Sequence, residues 1–192
     1  MAVLRRTLTP LAPLGLAAAL LLAVLAGSAS AQGGAGEYEV KAAFLYNFAK
    51  FVEWPGSTFE SPTDPLVLCV FGDDPFGESL DAVVQGETVG GRRLVVHRTR
   101  ETAQLRGCHV VFLSQRTRER YPQVLDSLRG TSVLTVGEGE GFLTQGGMIR
   151  FVLDQNRVRF EINLDAAERN RLKLSSQLLR LARAVNPQSP RP

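Results

Sequence analysis

The run LVLCVF at Leu66–Phe71, followed by GDDP at residues 72–75, decides the fold class of this chain of 192 residues. An uninterrupted apolar run that is bounded by turn-forming residues is typical of a strand covered on both faces. Burial of both faces is a property of parallel sheets, because their crossover helices lie on the two sides. We therefore expect the first central strand at Leu66–Phe71.

The rest of the chain alternates between strand and helix patterns. Further strands are predicted at residues 92–99, 109–113 and 132–136, with a hairpin of 148–153 and 157–162, and helices at 74–84, 119–128 and 164–185. This order predicts an α/β layered sandwich with a mainly parallel central sheet, a C-terminal β-hairpin and a long C-terminal helix.

Residues 37–54 contain no Gly and no Pro and predict an amphipathic helix. Their apolar arc is wider than a single core contact requires, which leaves two interpretations open. The helix is either wedged between the sheet and the C-terminal helix, or it carries a dimer or partner face. The aromatic residues of that face are Tyr38, Phe44, Tyr46 and Trp54.

The first 31 residues are typical of a secretory signal peptide. Arg5 and Arg6 precede an apolar run at residues 14–26, and Ala29-Ser30-Ala31 provides a small-residue cleavage site. We expect residues 1–31 to be removed on export to the periplasm, residues 32–186 to form one domain, and the polar, Pro-rich residues 187–192 to be disordered.

Charge argues against a nucleic-acid partner. The full chain carries a formal net charge of +3, and the predicted signal peptide holds two Arg and no acidic residue, which leaves +1. A nearly neutral domain lacks the basic stripe that dominates affinity for nucleic acids.

No motif predicts an enzyme, a metal site or a cofactor. Asp73 and Asp74 follow the first strand, as in receiver domains, but no phosphoacceptor Asp ends the third strand, so Asp74 is interpreted as a helix cap. The Gly-rich residues 137–141 have the wrong spacing for a dinucleotide loop and predict a turn. His97 and His109 have no partners at ligand spacing and are interpreted as structural.

Cys69 and Cys108 form the strongest pair in the sequence. If the first and third strands are neighbours in a parallel sheet, these residues come within disulfide range, and an exported protein reaches an oxidising compartment. The sequence therefore predicts a Cys69–Cys108 disulfide.

Residues 37–55, the turn at 72–77, residues 146–163 and residues 174–182 together resemble the YfiR family over almost the whole predicted mature chain. The resemblance implies a periplasmic repressor, without cofactor, that docks on the extracytoplasmic domain of a membrane diguanylate cyclase and lowers cyclic-di-GMP and biofilm formation. It also implies an outer-membrane lipoprotein that relieves repression, and cysteine oxidation that stabilises the fold. Leu143 and Arg150 stand near the positions where some members carry a second cysteine pair.

Alternation in the second hairpin strand sends Val158, Phe160 and Ile162 to one side and Arg159 and Glu161 to the other. If this strand lies at the sheet edge, its polar side is exposed, so Glu161, together with neighbouring Ile149, is predicted to contact the partner. A homodimer is also expected. A ligand-binding or sensor protein coupled to another membrane receptor, and an unrecognised enzyme, remain as alternatives.

Overall fold

The strand Leu66–Phe71 lies inside the main sheet, as its apolar pattern predicts. The computed structural model describes residues 32–186, so the predicted signal peptide (1–31) and disordered tail (187–192) lie outside the described residues. The chain divides into two units, residues 1–35 and 36–192, and the sheet and site described below belong to the second.

Short elements alternate along the described chain. The helices are α1 (Gln32–Lys50), α2 (Glu78–Val84), α3 (Tyr121–Ser127), α4 (Leu164–Arg169) and α5 (Ser176–Leu181), with 3₁₀ helices at Gly56–Thr58, Thr102–Gly107 and Gln115–Arg120. The strands are β1 (Val52–Glu53), β2 (Leu66–Phe71), β3 (Thr88–Val89), β4 (Arg92–Thr99), β5 (Val110–Leu113), β6 (Leu134–Glu138), β7 (Ile149–Asp154), β8 (Arg157–Ile162), β9 (Lys173–Leu174) and β10 (Ala184–Val185).

Eight strands form one sheet in the order β10-β8-β7-β6-β5-β2-β4-β3, while β1 and β9 pair separately. The β7–β8 hairpin and the β3–β4 pair are antiparallel, and the other neighbours in this sheet are parallel. The predicted mainly parallel sheet and the C-terminal hairpin are both confirmed.

Helices cover both faces of the sheet. Alternate residues of each strand point to opposite faces, so each face packs its own core. Leu68 and Val70 of β2 belong to a core that includes residues of α1, α2, α4 and α5. Phe71 belongs to a second core with Tyr121 and Val124 of α3. The predicted layered sandwich is therefore confirmed.

Two of the predicted helix bounds differ in the structure. Helix α1 ends at Lys50 rather than at residue 54, because Val52 and Glu53 pair with β9. Helix α2 begins at Glu78, and Asp74 does not cap it: one carboxylate oxygen of Asp74 accepts the N–H of Phe76 at 2.8 Å and closes a turn before the helix.

The long C-terminal helix predicted at residues 164–185 is wrong, because two short helices and two short strands occupy that segment. Asn170 ends α4 and accepts the N–H of Gly130 at 2.8 Å through its side-chain oxygen. Arg171 follows with φ of 61°, a left-handed conformation that no helix interior contains. Strand β9 then pairs with β1, and the Ser175 side chain caps α5 by accepting the N–H of Leu178.

Candidate functional site

A groove lies at the carboxyl end of the sheet, between α1 and the ends of β6 and β7. We call it the β6–β7 groove; its volume is about 550 Å³, and its lining includes Tyr38, Lys41, Arg118, Glu138, Arg150 and Leu153. In parallel α/β sheets, the carboxyl ends of the strands are the usual place for functional residues.

The groove exists because β6 stops before β7 does. The ladder between the two strands ends at Glu138 and Phe151, whereas β7 continues to Asp154. Gly139 has φ of 82°, a left-handed conformation that glycine adopts without strain, and it turns the chain away from the sheet.

Glu138 is the centre of a buried polar network in the groove wall. Its carboxylate accepts hydrogen bonds from Lys41 Nζ at 2.5 Å, from the backbone N–H of Gln115 at 3.1 Å and from the Tyr38 hydroxyl at 3.2 Å. The Lys41 ammonium also pairs with Glu37, one helical turn before it, so the cation lies between two carboxylates. Burial, and then the negative charge of Glu138, raise the pKa of Tyr38 above its ordinary value, so its hydroxyl stays protonated and donates.

Sequence reasoning did not single out Lys41 or Glu138. Residues 137–141 were predicted to form a turn, but Gly137 and Glu138 belong to strand β6, and Glu138 is buried. The available signals were a lysine within the apolar helix pattern and a glutamate four residues before it at ion-pair spacing.

Arginines form the other side of the groove. Arg150 on β7 and Arg183 before β10 both face the carboxylate of Glu161, at 2.5 and 3.8 Å. The Arg150 Nε is buried and makes no hydrogen bond within the part of the chain that the structure describes. Arg118 lines the same groove and is exposed.

The exposure that sequence analysis assumed for Glu161 is wrong. Strand β10 pairs with the expected edge strand β8, and the Arg150 and Arg183 side chains lie against the Glu161 carboxylate. Glu161 is therefore only 5% exposed, and Ile149 lies fully inside the core. Contact of Glu161 and Ile149 with a partner stays a prediction, but neither side chain presents a surface of its own.

The four aromatic residues predicted as a dimer or partner face do not form one exposed surface. Phe44 packs its ring against Phe160, with 5.5 Å between ring centroids. Tyr46 donates its hydroxyl hydrogen to Glu87, Tyr38 lines the groove, and Trp54 lies near His109 at the other end of the sheet. All four are partly buried against the chain's own core, which is the arrangement that a helix packed on the sheet requires.

A second cavity, the amino-edge cleft, lies at the amino ends of β2 and β5, has a volume of about 440 Å³, and is lined by Thr58, Phe59 and His109 among others. His109 Nδ1 accepts the N–H of Val67 at 3.0 Å, which places the proton of the neutral ring on Nε2. Burial, with a smaller contribution from Arg92, lowers the pKa of His109 to about 4. The Thr58 hydroxyl and Trp54 Nε1 are buried without a hydrogen-bond partner among the described residues.

The predicted disulfide is confirmed: Cys69 and Cys108 are bonded, with 5.9 Å between their Cα atoms. Their strands are neighbours, as expected, but the two cysteines are not register partners. Cys69 lies opposite Val111, whereas Cys108 ends the 3₁₀ helix before β5, and that helix carries it over the sheet face.

Within residues 32–186, no cluster of His, Cys, Asp and Glu has the composition of a metal site. None of the described helices is long and apolar enough to cross a membrane.

A family model described as YfiR/HmsC-like matches residues 38–183. The chain belongs to the YfiR/HmsC-like family. The resemblance seen in the sequence is thereby confirmed over nearly all of the described residues. At the level of the family, YfiR/HmsC-like proteins are periplasmic regulators of diguanylate cyclase signalling, and the family is regulatory rather than catalytic.

Two solved structures share a remote likeness with this YfiR/HmsC-like chain. One is the ABC domain in complex with L-Trp from Streptococcus pneumonia, at 11% identity and a TM-score of 0.47, covering 62% of this chain and 55% of that one. The other is a conserved domain protein from Vibrio cholerae O1 biovar eltor str. N16961, at 11% identity and a TM-score of 0.46, with 62% and 54% covered. The chain thus spans about half the length of the solved chains it matches, and the likeness is too remote to carry an argument.

Proposed function

We propose that this protein represses a membrane-bound diguanylate cyclase by docking on its extracytoplasmic domain, and so lowers cyclic-di-GMP and biofilm formation. The observation that carries the proposal is the YfiR/HmsC-like match over residues 38–183. In this proposal residues 1–31 are a cleaved signal peptide, and the mature protein works in the periplasm as one domain.

An exported regulator acts on a cytoplasmic second messenger only through a protein that crosses the membrane. It does so by binding one conformation of that partner better than another. A tenfold bias between two conformations requires about 1.4 kcal/mol of differential affinity, which is small for a protein interface.

The β6–β7 groove supports this proposal as a docking surface. Its wall is held by the Lys41–Glu138 ion pair, so the shape exists before a partner arrives. Docking of an outer-membrane lipoprotein on the same protein would compete with the cyclase and relieve repression. A homodimer built on Tyr38, Phe44, Tyr46 and Trp54 would have to use the parts of these side chains that the core leaves exposed.

Deletion of the gene tests the proposal. We expect cyclic-di-GMP and surface attachment to rise, and the full chain to restore both to their former level. The matched control is the chain without residues 1–31, which should be made in the cytoplasm and restore neither. Unchanged cyclic-di-GMP after deletion would contradict the proposal.

The amino-edge cleft favours a second candidate, a ligand-binding sensor coupled to another membrane receptor. Thr58 Oγ1, in the lining of this cleft, is buried without a partner among the described residues, and burial of an unpaired polar group costs about 1–3 kcal/mol. A small molecule that supplies hydrogen-bond acceptors would recover part of that cost. A thermal-shift screen of free amino acids and small carboxylates tests this candidate, with Thr58→Val as the variant that should lose the shift.

A further inference from the structure

The end of strand β7 has an unpaired edge that faces the β6–β7 groove. The backbone N–H of Asn163 donates to Met148 O at 2.8 Å, and the register continues through Val152–Arg159 to Asp154–Arg157. In such a ladder every second residue bonds to the partner strand, so the N–H and C=O of Val152 and Asp154 point to β8. The N–H and C=O of Leu153 therefore point the other way, along the line of β6.

Within residues 32–186, no strand reaches Leu153 on that side. The β6–β7 ladder ends at Glu138–Phe151, and Gly139 turns the chain away. Among the described residues, no backbone hydrogen bond from another segment reaches Leu153. Leu153 is 54% exposed, although it is a large apolar residue. An unpaired edge next to exposed apolar surface is the usual template for addition of a strand from another protein.

We propose that an extended segment of the cyclase's extracytoplasmic domain adds to this edge as a further strand, pairing its backbone with Leu153. The inference rests on the proposed function and names the contact that repression uses. The added segment lies where β6 would continue if it did not turn at Gly139. Its side chains alternate between the sheet face that α1 covers and the opposite face.

Charge defines the chemistry of the added segment. The cations Arg118 and Arg183 of the groove lining are exposed, and Arg118 forms no ion pair with the described residues. One exposed carboxylate, Glu140, opposes them in the groove. The remaining positive charge fits a segment that carries acidic side chains beside its apolar ones.

The same charges disfavour a second copy of this chain as the occupant. Pairing of two identical β7 edges would bring Arg118 and Arg183 of both copies into one groove, and like charges brought together across an interface are repelled. An acidic segment of a different protein relieves that repulsion instead.

The test replaces Leu153 with proline, which removes the N–H that faces the groove without breaking a β7–β8 hydrogen bond. The matched control is Val158→Pro. Val158 lies directly opposite Leu153, and its N–H faces the other edge, where pairing with β10 begins only at Glu161. We expect Leu153→Pro to weaken binding to the purified extracytoplasmic domain of the repressed cyclase at least tenfold, and Val158→Pro to change it less than twofold.

Amide hydrogen exchange of the unaltered protein gives a second measurement that needs no variant. In the free protein the Leu153 amide should exchange fast, and it should become protected when the cyclase domain is bound. The Val158 amide should exchange at the same rate in both states. Equal binding by both variants, equal loss in both, or an unprotected Leu153 amide would overturn the inference and leave the proposed function standing. A wild-type protein that does not bind the domain overturns both, and a wild-type dimer that Leu153→Pro dissociates would assign the edge to a second copy instead.

Discussion

Lys41 on helix α1 and Glu138 at the end of strand β6 are 97 residues apart in the chain and form an ion pair of 2.5 Å. Their side chains are only 5% and 7% exposed, so water contributes little to the solvation of either charge. Removal of one partner would leave the other charge buried and uncompensated. The pair therefore fixes the position of α1 over the carboxyl end of the sheet, where the β6–β7 groove lies.

We predict that Lys41→Met lowers the free energy of unfolding by about 3–5 kcal/mol, because two carboxylates then share one buried site. Addition of Glu138→Gln should restore part of the loss, since the buried charge is removed. The measurement is urea denaturation at neutral pH. The control is Arg100→Ala, which breaks an exposed ion pair with Asp73 and should cost about 0–1 kcal/mol. Equal losses in Lys41→Met and Arg100→Ala would contradict this account.

We predict that the role of the Cys69–Cys108 disulfide is to stabilise the folded protein. Cys69 and Cys108 are 39 residues apart, and the chain-entropy model assigns a loop of this size about 4 kcal/mol as an upper value. We expect Cys69→Ala with Cys108→Ala to lower the free energy of unfolding by up to that amount. Denaturation with and without a reducing agent checks the origin of the effect, because reduction should destabilise the wild type and leave the double variant unchanged.

Local patterns predicted the sheet well because the central strands are buried on both faces. The bounds of β2 and β4 follow directly from their apolar residues and flanking turns. The C-terminal segment was mispredicted because its course depends on distant partners. Asn170 bonds to Gly130, and β9 pairs with β1, and neither contact leaves a periodic signal in residues 164–185.

The site was harder to predict than the fold for the same reason. Lys41, Glu138 and Leu153 come together only through the strand order and through the turn at Gly139. The same limitation explains Glu161, which sequence alternation placed on a polar side. Strand β10, which lies within the segment predicted as a helix, pairs with β8 at Glu161, and Arg150 and Arg183 lie against the Glu161 carboxylate.

We predict that the main effect of Glu161→Arg is a lower free energy of unfolding. The Glu161 carboxylate lies between Arg150 and Arg183, so a third cation there replaces attraction with repulsion. Breaking a buried pair in this way should cost about 3–5 kcal/mol in urea denaturation. Arg159→Glu, on an exposed position of the same strand, is the matched control and should change stability by about 0.5 kcal/mol or less. If Glu161→Arg unfolds at the wild-type urea concentration yet fails to repress, a direct partner contact by Glu161 is supported instead.

The last prediction concerns the stability of the folded protein at acidic pH. Burial lowers the pKa of His109 from its usual 6.5 to about 4 in the folded protein, so between these values the unfolded chain binds a proton that the folded chain does not. The folded protein is therefore favoured above pH 6.5, and this contribution, about 3 kcal/mol by linkage, is lost as the pH falls toward 4. Urea denaturation at steps between pH 7 and pH 4.5 measures it.

In His109→Asn the side-chain oxygen can still accept the Val67 N–H, and no titrating ring remains, so the pH dependence in this range should flatten. The control is the same replacement at an exposed histidine, His97→Asn. A wild-type slope retained in His109→Asn would assign the acid sensitivity to other groups.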